Sequence, residues 1–205
     1  MSKELEDNIY RMCNPELIGL AKNRWLPENV QMAIAKHYYA RAHWYLAENE
    51  GLKSSVRDYL WSDECNKGYS LKVTLISYGQ YLDEPDKYRE LYDRYPGAWT
   101  RSPWRMSHAF MGSRHYWTEN LGQSATPVDV LHKIYNDRYD PKKINLKPEN
   151  NSWYSGNPRY QLESLAKHPN LDLELAIKLS QCGLESVQRL GFDRIVELTK
   201  NKNNT

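Results

Sequence analysis

The stretch "LAKNRWLPENV", residues 20–30, decides how this chain is to be read. Its first four letters return as "LAEN" at 46–49 and "LAKH" at 165–168. Beside each copy lies a run of apolar residues spaced by four: Leu26, Val30 and Ile34; Leu52, Val56 and Leu60; Leu171, Leu175 and Leu179. Such spacing stacks side chains on one stripe of an α-helix. Pro127, Val130 and Ile134 copy the spacing of Pro27, Val30 and Ile34. The helix starts agree. "LPEN" and "TPVD" put Pro where the first helical N–H has no partner anyway, with an acid in the first turn. "LDEPDKYREL" at 82–91 has the same start with its apolar positions shifted. These runs, starting near residues 26, 52, 82, 126 and 171, are predicted A helices.

Between them lie second runs, the predicted B helices. "YARAHWYLAEN" (39–49), "GYSLKVTLISYG" (68–79), "SPWRMSHAFMGS" (102–113) and "NPRYQLESLAKHPN" (157–170) align without gaps on Leu46, Leu75, Phe110 and Leu165. "LESVQRLGF" at 184–192 is a shorter fifth. "LIGLAKN" at 17–23 is a B run whose partner, segment 3–12, reads as a polar cap. The echoed letters are then one structural corner. Leu and Ala pack inward at the end of a B helix, and Asn or His-Pro-Asn ends it. One helical pair cannot bury its own stripe, but stacked pairs can, so the pattern has to recur. The predicted fold is all-α: a short right-handed α-solenoid of about five helical hairpins. It forms a single domain over 1–205. Residues 1–25 are the N-terminal cap and 26–93 the compact repeats. Residues 94–160 carry aromatic-rich insertions, 161–200 are the C-terminal repeats and 201–205 a tail. Val30, Ile34, Leu46, Val56, Leu60, Leu75, Leu165, Leu175 and Leu179 are predicted core.

"LAKHPNLDLELAIKLS", with "LAKNRWLPENVQMAIAK" and "LAENEGLKSSVRDYL", resembles the leucine-rich repeat variant family and, more broadly, HEAT-like α-solenoids. The resemblance implies an architecture and leaves function open, because such arrays serve many ends. A founding member of the variant family carries an iron–sulfur cluster in a cysteine-rich N-terminal region. Here only Cys13 lies near the N-terminus, and a cluster needs about four thiolates in close array. No cluster or other cofactor is expected. Cys13, Cys65 and Cys182 are scattered, with no C-x-x-C, and read as reduced thiols that bind no metal and form no intramolecular disulfide.

Composition narrows the function classes. The formal net charge is +2 with 26% charged residues, which excludes a strongly basic nucleic-acid coat and leaves local basic patches open. A mean hydropathy of −0.84 and no long apolar run exclude a membrane span. The N-terminus, "MSKELEDNIYRM", lacks the apolar core of a signal peptide. A cytoplasmic protein is expected. Aromatic usage is unusual: 16 Tyr and 7 Trp against 2 Phe. Tyr and Trp suit shallow cores and contact surfaces alike. The insertions "RYPGAWTR", "RHYWTENLGQSA" and "RYDPKKINLKPENNSWYSG" concentrate them, and long insertions on a regular array lie on its surface.

No phosphate-binding Gly loop, nucleophile elbow or helical zinc-protease motif is present. None of the six His pairs at the spacing of four that a helical metal site favours. The B runs carry a stronger pattern. Aligned on their common Leu or Phe, Arg41 and Arg105 share a position, Arg159 lies one residue off it, His43 and Lys72 share another, and His108 is next to that. If B helices line the inner face, these form a cationic strip, with Trp104, Trp99 and Trp153 at its rim. Arg among aromatics suits protein hot spots and equally suits phosphates and stacked bases. The rival reading is a structural ladder, each Arg bonded to an acid of the next unit.

Two functions follow. One is a non-enzymatic binding module that grips a protein partner as regulator, adaptor or inhibitor. In size and irregular inserts the chain resembles small bacteriophage proteins, which would place it in a host cytoplasm. The alternative is a nucleic-acid-binding HEAT-like protein, in the extreme a DNA-repair glycosylase-type enzyme. No stretch matches those enzymes well enough to carry residues over.

Overall fold

The computed structural model describes residues 3–65, 68–95, 106, 109–110, 125–139 and 158–202. Among them there are helices and turns and no strand, as the periodicity predicts. The chain divides into two compact units, Met1–Tyr81 and Leu82–Thr205. None of the described helices is long and apolar enough to cross a membrane.

The first unit holds α1 (Lys3–Arg11), α2 (Asn14–Ala21), α3 (Glu28–Lys36), α4 (Ala40–Ala47), α5 (Ser54–Trp61) and α6 (Gly68–Ser77). Its helices alternate between two rows. In one row α1 packs on α3 and α3 on α5; in the other α2 packs on α4 and α4 on α6. The pairs α3–α4 and α5–α6 join the rows. The A helices α3 and α5 begin two residues after the predicted starts, because Leu26 and Leu52 belong to the corner before them. Pro27 is the extended N-cap of α3, and its carbonyl takes the N–H groups of Val30 and Gln31 at 3.1 Å each. A capping box opens α2, where the Glu16 carboxylate accepts the Cys13 N–H at 3.0 Å.

The echoed letters do form one corner, within each unit alike. Asn23 N–H donates to the Leu20 carbonyl (2.9 Å), Asn49 to Leu46 (3.1 Å) and His168 to Leu165 (3.0 Å). The side chain of the same residue then accepts the N–H two residues on. Asn23 Oδ1 takes Trp25 at 3.0 Å, Asn49 Oδ1 takes Gly51 at 2.8 Å, and His168 Nδ1 takes Asn170 at 3.1 Å. This is the local side-chain-to-backbone bond that favours Asn at turns, with an imidazole nitrogen standing in for the amide oxygen at His168. In the first unit amides also tie corner to corner. Asn49 Nδ2 donates to the Ala21 and Asn23 carbonyls (2.8 and 3.1 Å), and Gln80 Nε2 to the matching carbonyls one corner later, Ala47 and Asn49 (3.2 and 3.0 Å). The first two corners approach so closely that a Cβ on Gly51 would lie 1.9 Å from the Arg24 carbonyl oxygen.

Eight of the nine predicted core residues are 1% exposed or less; Val30 is the exception and is half-buried. Its neighbour Gln31 is buried instead. Gln31 Nε2 donates to the Leu26 and Gly51 carbonyls at 3.0 and 2.8 Å, and its Oε1 accepts Lys53 N–H at 2.9 Å. A polar side chain is stable there because three backbone groups satisfy it.

The second unit holds α7 (Pro85–Arg94), α8 (Val128–Ile134) continued by a π-helical turn (Tyr135–Tyr139), α9 (Pro158–Ala166), α10 (Leu173–Ser180) and α11 (Glu185–Lys202). Here α7 packs on α8, and α9, α10 and α11 pack on one another. Polar pairs 40 residues apart join successive A helices. Arg89 binds Asp129 through two nitrogens (3.0 and 2.9 Å), Lys133 reaches Asp93 (3.0 Å), and His132 meets Asp172 (3.0 Å). At the crossing of α10 and α11, a Cβ on Gly191 would stand 2.6 Å from the Ser180 nitrogen. The insertions at 94–101, 114–125 and 138–156 lie largely outside the described residues.

Candidate functional site, a cationic cleft on the last B helices

Helix α9 carries Arg159, Glu163 and Lys167 at intervals of four, counting the residue just past its end. That interval puts them on one stripe. Opposite this stripe lie Leu184 and the first turns of α11, with Glu185, Ser186, Arg189 and Leu190. Together these eight residues line an open cleft of about 490 Å³. Glu163 is the middle residue of the α9 stripe. Arg159 Nε donates to the Glu163 carboxylate at 3.0 Å and the Ser186 hydroxyl donates to the same oxygen at 2.6 Å. Partial burial works to raise the Glu163 carboxyl, but the Ser186 and Arg159 donors outweigh it and hold it below the ordinary range. Lys167 and Arg189 are both exposed, and neither is in an ion pair among the described residues. The lining therefore already holds one carboxylate and presents two further cations to an incoming group.

Of the residues predicted from sequence, Arg159 belongs to this cleft. Arg41 is exposed on α4 in the other unit. His43 and Lys72 are corrected. They are 1% and 4% exposed, so neither presents a side chain to a partner. Each lies three residues before the buried Leu of its B helix, Leu46 or Leu75, and that spacing puts it on the inward stripe. Lys72 Nζ lies 3.5 Å from Asp63 and over the buried Trp61 ring. Trp99, Trp104, Arg105, His108 and Trp153 lie outside the described residues. Sequence reasoning missed Lys167, Ser186 and Arg189. The i, i+4, i+8 series of charged residues on α9 was the available signal.

Among the described residues, one group could hold a cation. His132, Asp172 and Glu174 bring a ligand atom each to within 4.8 Å of one another. These atoms already have work. Asp172 caps α10 by accepting Leu175 N–H at 2.9 Å, His132 bonds the same carboxylate, and Lys178 lies 2.8 Å from Glu174. Partial burial works to raise the Asp172 carboxyl, and the Leu175 N–H and His132 prevail and lower it. With an ammonium and a helix N-terminus beside both acids, the group serves as a clasp between α8 and α10. Searches against family models, curated proteins and solved structures give no match to this chain.

Proposed function

We propose that the chain is a non-enzymatic binding module that holds a protein partner on its B-helix face. Its architecture in this reading is a right-handed α-solenoid of about five pairs, of the leucine-rich repeat variant or HEAT-like kind. Three corners with one hydrogen-bond pattern, and A-on-A and B-on-B packing in the first unit, support the architecture. The observation that carries the function is the cleft, where Lys167 and Arg189 flank a surface built by two B helices and remain outside any ion pair among the described residues. Arg on a partly apolar concavity is a common hot-spot composition.

The test is the double charge reversal Lys167→Glu with Arg189→Glu. Both positions are exposed, so the melting temperature should hold. A protein that co-purifies with the wild type at stoichiometric level should be lost from the variant. Retention of that protein at wild-type level would sink the cleft as the contact surface.

A further inference from the structure

We infer that the cleft between α9 and α11 takes an acidic–apolar protein segment: a carboxylate held by Arg189 and Lys167, with a neighbouring aliphatic side chain over Leu184 and Leu190. This rests on the reading of the chain as a protein-binding module. The volume, about 490 Å³, lies in the range of sites that enclose small ligands or a few side chains. Glu163 shows how the lining treats a carboxylate, since one of its oxygens gathers the Arg159 Nε–H and the Ser186 hydroxyl. Those two donors are therefore committed. The remaining cations, Arg189 and Lys167, define a second position for a negative group. Arg is suited to it because its planar fork matches a carboxylate.

Charge decides between a carboxylate and a phosphate. The lining carries three cations, Arg159, Lys167 and Arg189, and two acids, Glu163 and Glu185. A singly charged carboxylate neutralises the surplus of one. A phosphate dianion or a run of phosphates overshoots it and meets two fixed carboxylates. The two leucines add a preference that a phosphate chain does not use.

Fluorescence anisotropy with a labelled peptide of alternating Glu and Leu tests the assignment on the full chain. The Glu–Leu peptide should bind, and a Gln–Leu peptide should bind roughly tenfold more weakly or worse. Lys167→Gln with Arg189→Gln should produce a similar loss with the melting temperature unchanged. Glu185→Gln, which removes a like charge, should tighten binding. Equal affinity for the Gln–Leu peptide, or an undiminished double variant, would overturn the proposal. Tighter binding of a phosphoserine–Leu peptide or a single-stranded oligonucleotide would overturn it in favour of a phosphate site. If the peptide fails while the charge-reversed variant still loses its co-purifying protein, this assignment falls and the binding-module reading stands. If both fail, both fall.

Discussion

At the scale of single residues, the corner position shows what a side chain is asked to do. It must accept the N–H two residues on, at an exposed corner for Asn23 and a buried one for Asn49 and His168. Asn23 and Asn49 do so with an amide oxygen, His168 with Nδ1. Because Nδ1 accepts, the neutral ring carries its proton on Nε2, a buried atom with no hydrogen-bond partner among the described residues. Burial, helped by the charge of Arg194, lowers the His168 pKa from 6.5 to about 4. The sign follows from proton counting. Between those values the unfolded chain binds a proton that the folded chain refuses, so stability is complete above pH 6.5 and is lost as pH falls towards 4. The loss should be roughly 3 kcal/mol over the window. His168→Asn should keep the corner at pH 7 and flatten this slope, measured as urea-unfolding free energy at several pH values. An unchanged slope in the variant would assign the pH dependence to other groups. The corner was legible in the sequence because its letters repeat. The burial of Gln31 in place of Val30 was not, because periodicity registers apolar spacing and cannot see three backbone groups waiting for an amide.

At the scale of elements, the helices were legible because their stripes keep the helical period and because several starts, such as those of α3, α7 and α8, carry a Pro with an acid in the first turn. What periodicity cannot give is how near two helices come. That is set by glycines. Gly191 lets α11 lie against Ser180 and Ala176 of α10, where a methyl group would stand 2.6 Å from a backbone nitrogen. Gly191→Ala should therefore force the two helices apart and cost about 1–3 kcal/mol. Gly19, inside α2, has nothing among the described residues within 4 Å of its would-be Cβ. There alanine adds helix propensity and stiffens the unfolded chain, for a gain of up to about 1 kcal/mol. Thermal melts of the two variants should move in opposite directions. A Gly191→Ala melting temperature that does not fall would mean that the α10–α11 approach is looser than described. The same scale explains the missed site residues. Arg159 was legible because it lies one residue off the position that Arg41 and Arg105 share when the B runs are matched on their common Leu or Phe. Lys167 lies just past the end of α9, and Arg189 lies on a run that reads as a short fifth B helix.

At the scale of the whole chain, 28 basic residues face 26 acidic ones. The unit boundary at Tyr81 was not legible, because "GQYLDEP" reads as a corner followed by a helix start and has no linker composition. The charge balance, by contrast, is legible from composition; it leaves local basic patches open, so salt dependence has to separate the two candidate functions. A protein that neutralises many phosphates releases many counterions, and its affinity for nucleic acid falls by about 10³ to 10⁵ between 50 and 200 mM salt when six to ten contacts are made. Here the cleft offers two cations outside ion pairs among the described residues, with two carboxylates beside them. One carboxylate held by Lys167 and Arg189 is a single screened contact, so the affinity for the Glu–Leu peptide should fall by less than about tenfold over the same salt range. Anisotropy titrations of that peptide and of a short DNA duplex, run in parallel at each salt concentration, make the comparison. A shallow slope for the peptide with no saturable duplex binding at low salt fits a protein-binding module. Saturable duplex binding that collapses with salt on the steep slope would transfer the function to nucleic acid, since only a row of phosphates engaged together produces it.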